Sequence, residues 1–148
     1  MMTMTLRRFL CVLLSALSLA AGWIGVSGLP LLAALVPLLW ISSTYGASRR
    51  DWWRMFGWAW LAFALWNGLT IWGLWYSTPV GPFAATLAST FLNLLAFMLY
   101  HTVSKRAHKA LAYTLLVSGW IATEYWYTVG EFSFPWLLFG NGFAAEPW

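Results

Sequence analysis

Long apolar runs alternate with short polar breaks along the whole chain. Five runs stand out, at about 6–26, 29–45, 55–76, 83–100 and 111–129. A helix needs about 20 predominantly apolar residues, and no fewer than about 17, to cross a bilayer. The pattern therefore predicts an all-α, polytopic membrane protein with about five transmembrane helices. The first run has a basic start and small residues at its end (Ala20, Ala21, Gly22), which also describes a signal peptide. It is read as a retained helix because further runs follow at once. The second run is the shortest and contains Pro37, which is expected to kink it. Ser77, Thr78, Pro79, Gly81 and Pro82 predict an uncharged turn between the third and fourth runs.

The polar breaks differ in charge, and that difference sets a direction. All eight Lys and Arg fall in three clusters: Arg7 and Arg8; Arg49, Arg50 and Arg54; and Lys105, Arg106 and Lys109. Basic residues stay on the cytoplasmic side of a membrane. The N-terminus is thus expected in the cytoplasm and the C-terminus in the periplasm. Residues 1–129 read as one helical membrane domain and 130–148 as an interfacial periplasmic tail.

Composition agrees with a lipid solvent. Hydrophobic residues make up 61% of the chain and charged residues 8%, against roughly 25% charged in soluble domains. The net charge of +4 lies in the basic breaks and gives no reason to expect a nucleic-acid partner. A single cysteine, Cys11, excludes an intrachain disulfide and a Cys-based metal site. His101 and His108 flank the third basic cluster at no recognised metal spacing, and they read as boundary histidines. No metal or cofactor is expected.

Candidate functional residues are the polar and amphipathic groups inside or beside the apolar runs. Trp72, Trp75 and Tyr76 lie one bilayer thickness after Trp52, Trp53 and Trp58, which predicts an aromatic belt at each end of the third run. Asn67 and Asn93 fall about 18 and 15 Å into antiparallel runs, counted at about 1.5 Å per residue. Their amides are expected to meet across a helix pair, as structural glue or as part of a substrate path. Glu124 lies about 20 Å into the fifth run, either buried or reaching to the interface. Pro135, Gly140 and Gly142 break the final aromatic segment, which suggests a shelf for a lipid chain. Trp72, Trp75, Tyr76, Glu124, Pro135, Trp136 and Asn141 are the expected lipid- or substrate-facing residues.

That final segment carries a resemblance. A Glu-bearing helix followed by Phe134-Pro135-Trp136-Leu137 and Gly140-Asn141 resembles the membrane domain of bacterial apolipoprotein N-acyltransferases. The stretches Ala34 to Ser42 and Trp66 to Ala85 resemble parts of the same family. The resemblance implies an inner-membrane, multi-pass location. It also implies transfer of an acyl chain from a phospholipid to the N-terminal diacylglyceryl-cysteine of a lipoprotein. The partners implied are membrane phospholipid and the diacylglyceryl lipoprotein. The family's catalytic Glu, Lys and Cys belong to a nitrilase-like periplasmic domain, and Glu124, Glu131 and Cys11 do not match them. No catalytic residue is therefore assigned. The chain alone is expected to be inactive, as the amino-terminal membrane part that leads to a missing catalytic domain. Two other readings stand beside this one: a non-enzymatic membrane scaffold or complex subunit, and a transport component using Asn67, Asn93 and Glu124.

Overall fold

The computed structural model describes residues 2–72, 76, 80–129, 137–144 and 146. Among them are five α-helices: α1 (Met4–Ala20), α2 (Val36–Ser43), α3 (Arg49–Ile71), α4 (Gly81–Ser104) and α5 (Lys109–Val129). Short 3-10 turns occupy Leu29–Ala33 and Phe139–Phe143. The all-α expectation agrees with these elements. The expectation of about five transmembrane helices does not hold. Among the described residues, only α4 is long and apolar enough to cross a membrane.

The reasons are local. α1 stops at Ala20 after 17 residues, because Gly22 and Gly25 follow and Gly25 takes a positive φ of 78°. The second apolar run breaks into the 3-10 turn and the eight-residue α2. Pro37 does not kink a longer helix. It lies in the first turn of α2, where its missing N–H has no intrahelical partner to lose. α3 begins Arg-Arg-Asp-Trp-Trp-Arg, so its first two turns are charged and amphipathic. α5 starts at Lys109, carries Glu124, and is diluted by Tyr, Thr and Trp.

Three of the longer helices, α1, α3 and α4, begin at a recognisable local signal. Thr3 caps α1 by accepting the Leu6 amide at 3.3 Å, and Ser48 caps α3 by accepting the Asp51 amide at 3.1 Å. The Asp51 carboxylate reaches back to the Gly46 amide at 3.2 Å. Pro82 occupies the first turn of α4.

α4 packs against α3 on one side and α5 on the other, α1 packs against α3, and α2 against α1. Gly119 of α5 faces Ala96 of α4, and this small-residue contact lets the two helices approach closely. The centre is aromatic. Phe63 meets Phe97 and Trp120 at centroid distances of 5.9 Å each, and Trp66 meets Trp120 at 6.3 Å and Trp23 at 5.7 Å. The buried Ser15 hydroxyl donates to the Ala34 carbonyl at 2.7 Å and ties α1 to the start of α2. The outward faces of α1, α4 and α5 are themselves apolar: Leu14, Leu17, Leu87, Phe91, Val117 and Ile121 are all more than half exposed.

Candidate functional site

A groove runs along the α3–α4 seam where small residues of α3 leave room beside Trp60. Gly57, Ala64 and Gly68 are spaced seven and four residues apart, which places them on one helix face. A Cβ built on Gly57 or Gly68 would meet nothing within 4 Å. The outer part of the groove has a volume of about 510 Å³ and is lined by Trp60, Trp72, Tyr76, Phe83 and Leu87 with Thr86 and Thr90. A second part of about 440 Å³ shares Trp60 and Leu87 and adds Phe56, Phe91 and Leu94. From Gly57 to Trp72 the groove follows about 22 Å of helix, somewhat more than the roughly 15 Å of one bilayer leaflet. Trp72 and Tyr76 stand at its outer mouth, edge to face at 6.1 Å, and both are exposed.

The wall behind the groove is polar and tightly buried. Asn67 Nδ2 donates to the Phe63 carbonyl at 2.8 Å and to Thr90 Oγ1 at 3.1 Å. The expected amide bridge between α3 and α4 therefore runs from Asn67 to Thr90 and not to Asn93. Asn93 Nδ2 and Asn67 Oδ1 are both buried without a hydrogen-bond partner, as is the indole N–H of Trp66. The buried Tyr127 hydroxyl lies beside Ser89 without reaching hydrogen-bond geometry. Three helices thus enclose a small polar nest in an otherwise apolar interior.

Glu124 belongs to a different construction. Its Oε1 accepts the Trp120 indole N–H at 3.1 Å and the Phe139 amide at 2.9 Å. It holds the 3-10 turn Phe139–Phe143 on the bundle, with the Phe139 ring 4.8 Å from Trp120 and 6.1 Å from Trp66. The same turn presses Gly142 against Gly22 and Gly28, where a Cβ on either partner would strike the Gly142 carbonyl. Glu146 completes the clamp by accepting the Ser27 hydroxyl at 2.7 Å and the Gly28 amide at 2.6 Å. These bonds hold the Glu146 carboxyl below its usual range. Asn141 is exposed on this turn. Trp75, Glu131, Pro135 and Trp136 lie outside the described residues.

The basic end is more ordered than its sequence suggested. His101, expected at a membrane boundary, is buried, and its Nδ1 lies 2.8 Å from the Ser42 hydroxyl. Both partners are almost fully enclosed, so this pair joins α2 to α4 and offers no nucleophile to a substrate. Lys105 Nζ donates to the Ser42 carbonyl at 2.8 Å. Burial, and secondarily the neighbouring Lys109, hold the Lys105 ammonium below its usual range. Trp52 donates its indole N–H to Thr102 at 3.0 Å.

Sequence reasoning missed the groove floor and the tail's docking glycines. The stripe of Gly57, Ala64 and Gly68 was a readable signal for the floor. Nothing local announces that Gly22, Gly28 and Gly142 meet. No family model, no curated protein and no solved structure matches the chain.

Proposed function

We propose that this chain is a lipid-binding membrane module of the apolipoprotein N-acyltransferase type, whose α3–α4 groove seats one acyl chain of a phospholipid. The observation that carries the reading is the groove itself. It is apolar, open along one leaflet's depth, and ends at the exposed pair Trp72 and Tyr76. Aromatic side chains of this kind sit comfortably at the headgroup level. The bundle lies in the bacterial inner membrane with α4 as its crossing helix and the basic end toward the cytoplasm. Exposed leucines on α1 and valine and isoleucine on α5 suit contact with lipid tails, since contiguous apolar surface of this extent is rare on water-soluble monomers.

The name of the reaction rests on the resemblance of the Phe134–Asn141 segment. The groove supports the part of that reaction in which an acyl donor is held. No residue of this chain is proposed as its nucleophile. Cys11 lies part-buried on α1, and activation of a thiol requires a neighbouring base or cation. The diacylglyceryl lipoprotein is the proposed acceptor.

A photoactivatable phospholipid, with its reactive group on the acyl chain, tests the groove. Crosslinks should concentrate on peptides containing Trp60, Phe83 and Leu87. Gly68→Leu should abolish them while the protein stays folded, because a Cβ there meets open space. Crosslinks spread evenly over α1 and α5, or unaffected by Gly68→Leu, would refute the reading. Incubation with phospholipid and a diacylglyceryl-cysteine peptide should yield no acylated peptide. Transfer by this chain would show that a nucleophile has been overlooked.

A further inference from the structure

Two partly buried cations converge on the last turn of α2 and spend their hydrogen bonds on neutral oxygens. Arg8, from α1, donates through Nε and a terminal nitrogen to Thr44 Oγ1 at 3.2 and 3.0 Å, and its guanidinium lies 4.2 Å from the Tyr45 ring centre. Lys105, at the end of α4, donates to the Ser42 carbonyl. Among the described residues neither makes an ion pair. Among the described residues there is one ion pair, Arg54 with Asp51 at 3.7 Å. The other described carboxylates, Glu124 and Glu146, are engaged in holding the tail. Among the described residues, the basic end therefore sets the Lys and Arg clusters against one carboxylate, Asp51.

That arrangement is incomplete as electrostatics. A desolvated cation on a neutral acceptor keeps its full charge, and the partial negative end of α2 offsets only a fraction of it. A small cleft of about 20 Å³ opens beside Lys105, lined by Gly46, Ala47, His101 and Arg106. It has room for no more than a water-sized group, so an anion would rest over its mouth and bridge Lys105 to the exposed, unpaired Arg106.

We infer that the basic end is a binding site for the phosphate of an acidic phospholipid, seated at the mouth of this cleft between Lys105 and Arg106. A phosphodiester supplies a permanent negative charge and several acceptor oxygens, which suits the Lys105 ammonium and the adjacent Arg106 guanidinium at the cleft. Its acyl tails would continue onto the apolar outer faces described above. The inference rests on the membrane placement proposed above but not on the α3–α4 groove.

Nanodiscs of equimolar phosphatidylglycerol and phosphatidylcholine, followed by native mass spectrometry of the released protein, test it. Phosphatidylglycerol should be retained in excess. Lys105→Gln with Arg106→Gln should lower that excess by roughly fivefold per charge removed, since glutamine keeps a donor for the Ser42 carbonyl. Arg106→Gln alone, at an exposed side chain, should give a single step without loss of fold. Gly68→Leu should leave the excess unchanged, which separates this site from the groove. Equal retention of both lipids, or an excess untouched by the double variant, would overturn the inference. So would saturation of the same site by inorganic phosphate with no preference between the lipids, because the ligand would then be the free anion.

Discussion

Glu124 Oε1 accepts the backbone N–H of Phe139 at 2.9 Å, across fifteen residues. This one contact turns a carboxylate that the sequence placed within a membrane run into an anchor for the C-terminal turn. Hydrogen bonds to a charged acceptor contribute about 1.5–3 kcal/mol. Glu124→Leu should therefore lower stability by about that amount and expose the region after Val129 to protease. Glu124→Gln, which keeps one acceptor oxygen, should lose less. Thermal melts in detergent with limited proteolysis check both.

The glycines divide into two classes with opposite expected outcomes. Gly22→Ala and Gly28→Ala push a methyl into the Gly142 carbonyl and should destabilise by about 1–3 kcal/mol. Gly68→Ala adds its methyl to open groove and removes a flexible residue from a helix interior, which should raise stability by about 0.5–1 kcal/mol. Denaturation of the three variants side by side measures the contrast, and equal effects would contradict the docking geometry.

The polar nest predicts an asymmetry between its two asparagines. Asn67→Leu removes the bridge to Thr90 and should cost about 1–2 kcal/mol. Asn93→Leu removes a buried donor that has no partner and should be close to neutral, since an unmade hydrogen bond has nothing to lose. A destabilising Asn93→Leu would mean that the nest binds an ordered water or a polar ligand group.

Glu146 predicts a pH dependence with a definite sign. Its carboxyl is held below the ordinary 4.5 first by the Ser27 hydroxyl and then by the Gly28 amide. A depressed folded value means that the carboxylate favours the folded state at any pH above 4.5. That contribution fades as pH falls from 4.5 through the lower folded value. Melting temperature should drop over this window in the parent and less steeply in Glu146→Gln. Superimposable profiles would remove Glu146 from the clamp.

Much of the helical layout was legible because it is written in local patterns. The caps at Thr3 and Ser48, the prolines at helix starts, and the apolar runs all act within a few residues. That, among the described residues, only α4 is long and apolar enough to cross a membrane has a local cause too. Charges open α3, aromatic and polar residues dilute α5, and prolines divide the second run, so apolar content overstates the number of spans. The Asn67 to Thr90 bridge was half legible: depth put Asn67 at the α3–α4 seam, but not opposite Thr90.

Sequence alone determined that the chain is helical and that its cations fall in three clusters between long apolar runs. These are properties of composition and spacing. Tertiary structure decided which polar groups meet, that the tail folds back under Glu124 and Glu146, and that a groove opens beside Gly57 and Gly68. The physical reason is rotational. Each residue turns a helix by about 100°, so partner choice depends on how neighbouring helices are rotated and how closely their glycines let them approach. No single run of sequence encodes that relation.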